Sequence, residues 1–194
     1  MMTLSLRQTV LCVVALNLAY FCVEFTAAMQ VGSVSLLADS VDFLEDAAVN
    51  LLIFFALAWT AARRARVGKL LAFLLLAPAI AFLWTLATKL LDPVPPAAGT
   101  LALVGIGALA VNVTAAFLLA RHRKAEGSLT RAAFLSARND AFANIGIVGA
   151  GLATAAYPSI WPDILVGLVI AAMNVDAAKD VWTAAHAEQK IAQV

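Results

Sequence analysis

Long apolar runs, rather than short alternating ones, organise this chain. Six stretches are long enough to cross a bilayer as helices: about residues 10–30, 34–61, 69–91, 99–120, 132–157 and 161–181. A hydrocarbon core about 30 Å thick takes roughly 20 helical residues. Strands of a membrane barrel need only about 10 residues and alternate in polarity, so helices are expected here. The breaks are chemically sensible. "RRARVGK" separates the second and third runs, and "DPVPPAAG" is a proline-rich turn that cannot continue a helix. "RHRKAEGSLTR" is the longest polar loop, and "YPSIWPD" is a short turn whose aromatics suit a membrane interface. Arg7 followed by an apolar stretch could mimic a secretory signal. The stretch continues to about Met29 with no polar mature domain behind it, so it reads as a first membrane helix.

Composition agrees with the pattern. Of 194 residues, 63% are hydrophobic and only 13% charged. Soluble domains sit nearer half apolar and a quarter charged. Net charge is +1, which gives no electrostatic case for nucleic acid. The basic residues matter by position instead. Arg7, Arg63, Arg64, Arg66, Lys69, Arg121, Arg123, Lys124, Arg131, Lys179 and Lys190 fall at alternate ends of the runs. The turns near Gly32, Pro95 and Pro158 carry none, apart from nearby Lys89, which can snorkel. The expected fold is therefore all-α: a polytopic membrane protein with six transmembrane helices, both termini cytoplasmic, and residues 1–194 forming one transmembrane domain. Cys12 and Cys22 read as small apolar core residues, since ten helical residues separate them by roughly 15 Å. His122 and His186 both lie outside the runs.

The stretch "LLADSVDFLEDAAVNLL" breaks this apolar pattern with Asp39, Asp42, Glu45 and Asp46. The second run descends from the outside and the fifth rises from the inside, so Asp42, Asp46 and Asp140 all reach the bilayer midplane. At about 100° per residue, Asp39, Asp42 and Asp46 share one helix face. Ser136 and Asp140 are one turn apart on the fifth helix, flanked by Asn139 and Asn144. Glu45 and Arg138 point elsewhere, with roles left open. A charged group at the membrane centre costs roughly 2.5–3.5 kcal/mol even on lenient scales. Clustered carboxylates also repel, so without a cation at least one holds a proton. A divalent cation would cancel the repulsion and displace that proton, which is the chemistry of an antiporter.

Other polar groups have blander readings. Asp39 is either a cap at the start of its helix or part of the site. Asn17, Asn112 and Asn174 are read as interhelical hydrogen-bonding groups. Glu24 belongs either to a proton path or to a structural pair. Asp163 is read as an acid favouring the dipole of its own helix. Gly146, Gly149 and Gly151 are expected to permit close helix approach.

These residues resemble the cation diffusion facilitator family. "SVSLLADSVDFLEDAAVNLL" is similar to its second helix, S-x-A-L-L-A-D-x-x-[HD]-x-x-x-D, with Asp42 and Asp46 on the metal-binding pair. "SLTRAAFLSARNDAFANIGIVGAG" is similar to its fifth helix, where Asp140 matches the second member of a [HD]-x-x-x-D pair. Ser136 occupies the first position, where the family has His or Asp. "ALNLAYFCVEF", "ALAVN" and "WPDILVGLVIAA" resemble its first, fourth and sixth helices. The resemblance implies a non-enzymatic, proton-coupled exporter of divalent metal ions that alternates between inward- and outward-open states as a homodimer. It would sit in the lipid bilayer of a bacterial inner (plasma) membrane. It implies metal ligands Asp42, Asp46 and Asp140, with Ser136 as a weak fourth, filled in by Asn139 or water. Asp39, Asn139, Asn17 and Glu24 are supporting or proton-path candidates. The family's C-terminal cytoplasmic domain and histidine-rich loop are missing from this sequence.

No cofactor is expected to stay bound, and the metal is cargo. An oxygen-only site suits manganese and iron, while zinc, cobalt and cadmium also accept carboxylates. Two rival classes are an intramembrane aspartyl protease, whose Gly-x-Gly-Asp motif does not occur here, and a non-transporting membrane assembly or regulatory subunit, which Ser136 would suit.

Overall fold

A computed structural model describes residues 5–56, 76–121 and 128–173, and every regular element among them is a helix. These are α1 (Leu6–Val31), α2 (Val34–Ala56), α3 (Leu76–Leu91), α4 (Ala98–Ala120), α5 (Ser128–Ala156) and α6 (Trp161–Met173). The basic loop at 63–69, residues 122–127 with His122, Asn174, His186 and the inner ends expected for the second, third and sixth runs lie outside the described residues. α1 and α4 are each long and apolar enough to cross a membrane.

Local chemistry sets the ends. Ser5 caps α1 in a capping box: its Oγ accepts from the Gln8 amide at 3.4 Å, while Gln8 Oε1 accepts from the Ser5 amide at 3.0 Å. Gly32 closes the same helix in the left-handed region, at φ 61° and ψ 40°, where a side chain would be strained. The next helix starts at once, so α1 and α2 form a tight antiparallel corner. Prolines 93, 95 and 96 separate α3 from α4. At the α5–α6 turn, Ser159 Oγ accepts from the Trp161 amide at 3.3 Å.

α1, α2, α4 and α5 pack into a four-helix bundle, with α3 laid against α2. α6 touches α5 through Val166 against Gly146, and α2 through Gly167 against Val34 and Ser35. A Cβ at Gly151 would lie 2.9 Å from the Ala102 nitrogen, so α4 and α5 approach backbone to backbone there. Of the three α5 glycines expected to permit such approach, only Gly151 does. Gly146 leaves ordinary contact with Val166 at 3.6 Å, and Gly149 faces open space.

The distribution of polarity is inverted relative to a soluble fold. Leu103, Phe117, Phe142 and Leu152 point outward, while Asn17, Glu24, Asp39, Asn112, Asn144 and Asp163 are buried. Cys12 and Cys22 are likewise exposed rather than in the core. Where the outer face is as apolar as the interior, hydrophobicity alone does not choose a side.

Candidate functional site

α2 and α5 carry the acidic groups to the middle of the bundle. Their spacing along α2 turns Asp39, Asp42 and Asp46 to one side. Asp39 is fully buried, Asp46 and Asp140 are each 8% exposed, and Asp42 is partly exposed. The Asp42 carboxylate interacts electrostatically with Asp140, Asp39, Glu45 and Asp46, so the α5 aspartate faces the α2 group across the bundle. Among the described residues, no group of three or more His, Cys, Asp or Glu side chains is drawn tightly enough to hold a metal ion. Ser136 lies on α5 one turn before Asp140, and its side chain is outside the described residues.

A chain of amides ends at Asp39. Asn112 Nδ2 on α4 donates to Asn144 Oδ1 on α5 at 2.9 Å, and Asn144 Nδ2 donates to Asp39 Oδ2 on α2 at 2.5 Å. Three helices are thereby joined through one polar thread, and Asn112 makes the interhelical bond expected of it. Asn144, expected beside the acidic face, binds directly to it. Asp39 sits well inside α2 and is no cap. The Glu24 carboxyl on α1 adjoins Asp39, yet neither of its oxygens has a hydrogen-bond partner among the described residues. Among the described residues, the Asn17 amide is buried without a hydrogen-bond partner. Tyr20, one turn before Glu24, donates to the Val104 carbonyl at 2.6 Å and ties α1 to α4.

Two neighbours are placed differently. Asn139 is exposed, accepts from Arg138 at 3.3 Å, and lines a groove between α5 and α6. Glu45 is buried, with Oε1 lacking a partner among the described residues, while Asp46 gives its backbone carbonyl to Asn50 Nδ2 at 2.8 Å.

A second buried acid lies at the Gly32 end. Asp163 sits in the first turn of α6, where an acid suits the dipole, but its hydrogen bonds go to another helix. Its carboxylate accepts from the Val34 and Ser35 amides, at 2.9 and 3.0 Å, and so caps α2 from another element. Both serine hydroxyls, Ser33 and Ser35, also donate to it at 2.7 Å. Lys89 does not snorkel: its Nζ is buried and bonds Asp163 Oδ2 at 2.9 Å. Sequence reasoning took Lys89 and Asp163 one at a time. Their signal was joint: opposite charges at turns on the same side of the bundle, beside a Ser-x-Ser helix start.

Residues 10–181 match the cation efflux transmembrane domain. The chain belongs to the cation efflux family. It is a helical membrane protein of metal-ion transport, and the inverted polarity of its bundle has that physical basis. The cargo of this family is a divalent metal cation. A search of curated proteins finds no match to the chain.

Proposed function

We propose that this chain is a proton-coupled exporter of divalent metal cations that works by alternating access. Asp42 and Asp46 on α2 and Asp140 on α5 bind the cargo, with Ser136 as a weak fourth donor. Asn139 faces the groove, so water rather than its amide completes the coordination. The observation that carries this reading is that Asp140 on α5 and Asp42 on α2 lie within electrostatic reach of one another between two packed helices. Such a cluster holds protons when empty and releases them to a cation. Its all-oxygen chemistry favours manganese or iron, with cobalt, zinc and cadmium also accepted.

Glu24 and Asp39 serve the proton. Asp39 receives the amide donor of Asn144, whereas Glu24 receives no such donor among the described residues, so a proton shared between the two adjoining carboxyls serves both. Asn17, two turns before Glu24 on α1, extends this path. The working unit has six spans with cytoplasmic termini and is a homodimer in a bacterial inner membrane. The positive-inside bias supports that orientation.

Reconstitution in vesicles with a pH gradient tests the reading. Uptake of Mn²⁺, Fe²⁺, Co²⁺, Zn²⁺ and Cd²⁺ is followed, with Asp46→Ala and Asp140→Ala as controls. The parent moves at least one ion and dissipates the gradient, and both variants do neither. Transport that survives in both variants refutes the site, and a parent that moves no ion refutes the function.

A further inference from the structure

The transport reading leaves the Asp163 cluster unused, although it is the most densely bonded side chain among the described residues. Oδ1 accepts from Ser33 Oγ, Ser35 Oγ and the Ser35 amide, and Oδ2 from the Val34 amide and Lys89 Nζ. A carboxylate offers about four lone-pair sites, so this one is saturated. Its donors come from the first turn of α2 and the last turn of α3, while Asp163 itself lies in the first turn of α6. One turn further along α6, a Cβ at Gly167 would lie 2.9 Å from the Ser35 nitrogen and the Val34 carbonyl carbon. Two successive turns of α6 are thus fixed to the start of α2, by charge and then by backbone contact.

The rest of α6 is packed in another way. A groove of about 390 Å³ runs between α5 and α6, lined by Asn139, Phe142, Leu165, Val169 and Met173 among others. Its walls are apolar apart from Asn139, which directly precedes Asp140. None of the residues that line it is charged, so among the described residues no ion pair ties α6 to α5 along it. Apolar surfaces in a membrane slide at small cost, whereas separating a buried ion pair there leaves two uncompensated charges. Ile170 buries its side chain in the apolar core, yet no charge fixes that half of α6, so the two ends of α6 are held by different means.

We propose that Asp163, held by Lys89, is a positioning residue and the fixed point about which α6 tilts. It seats α2, and with it Asp42 and Asp46, at a constant depth, while the groove beside Asn139 widens and narrows. This rests on the transport reading for its purpose. The motion is of the hinge kind, with a few element-terminal residues staying in place.

Spin-label distances in the full chain in lipid nanodiscs test it, in a Cys12→Ala/Cys22→Ala background. One pair, Met29→Cys with Trp161→Cys, reports the Gly32 end. The other, Phe142→Cys with Met173→Cys, reports the groove. Zn²⁺ is the probe because it is diamagnetic. The Gly32-end distance is expected to be narrow and unchanged by Zn²⁺, and the groove distance to shift or split into two populations. Lys89→Met should broaden the Gly32-end distribution and raise the half-saturating Zn²⁺ for transport, and Lys89→Arg should restore both. The pivot is overturned if the Gly32-end distance shifts as much as the groove, if neither responds to Zn²⁺ in labelled protein that transports it, or if Lys89→Met leaves the distribution narrow. That last measurement needs no transport. A parent that moves no ion while Lys89→Met still broadens the distribution therefore removes the purpose and keeps the anchor.

Discussion

Two groups of buried acids occupy the same bundle under opposite conditions. At the Gly32 end, Asp163 has a cationic partner and four neutral donors. At mid-bundle, among the described residues, no donor apart from a proton shared with Asp39 reaches Glu24, and Asp39 and Glu45 each keep one oxygen without a partner. Burying a charge is tolerable only when it is paired and hydrogen-bonded. The saturated group holds helices together. The unsaturated groups are tolerable only with a proton or a cation to take up, which is what the proposed exchange asks of them. The residue types hardly differ between the two, so the count of donors separates the roles.

The sharpest test of that contrast is Asp140→Ala. All metal-dependent thermal stabilisation should vanish, since a ligand raises stability only through the state it binds. The metal-free variant should lose much less stability than Asp163→Asn, because the repulsion between Asp140 and Asp42 is relieved. In the parent, the Zn²⁺-induced rise in Tm should shrink as pH falls, because protons compete with the cation for the same oxygens. An Asp140→Ala protein that loses stability as heavily without metal as Asp163→Asn would break the contrast.

Next in size is Asp163→Asn, which leaves Lys89 buried without its countercharge. Removing one partner of a buried pair costs about 3–5 kcal/mol, and two α2 amides lose much of their acceptor strength. Unfolding in detergent measures this, and a loss below about 1 kcal/mol would mean the pair is not structural. Asn144→Ala should be milder. Interhelical hydrogen bonds in membranes average about 0.6 kcal/mol and reach about 1.7. Its larger effect should be on proton coupling, read as ions moved per proton in vesicles, because Asp39 loses its donor. Smallest of all is Cys22→Ser. The side chain is exposed, so stability should change by no more than about 0.5 kcal/mol, and a larger loss would place that face of α1 against protein.

Much of this was legible along the chain. The helical character followed from run length, and the family from the D-x-x-D-x-x-x-D spacing around Asp39, Asp42 and Asp46 together with Asp140. The approach of α2 to α5 could be anticipated because opposite chain directions bring Asp42 and Asp140 to one depth. The partners of polar groups were not legible. Asn112 was expected to bond another helix and does, but nothing in its neighbourhood names Asn144 as the partner. Lys89 next to Leu90 reads as a snorkelling cation until α6 supplies Asp163. Cys12 and Cys22 read as core because, on an apolar helix, no periodic signal separates the inward face from the outward one.

What the sequence alone determined is composition and spacing: helices of membrane length, acids too costly to be incidental, and a family pattern that joins them. Those follow from local physics, since hydrophobic length and helical period are properties of one segment. Only the tertiary structure decided which acids are saturated and which are left short of donors. That depends on groups far apart in the chain, Ser33 and Lys89 with Asp163, Asn112 and Asn144 with Asp39. Helix packing brings them to within about 3 Å.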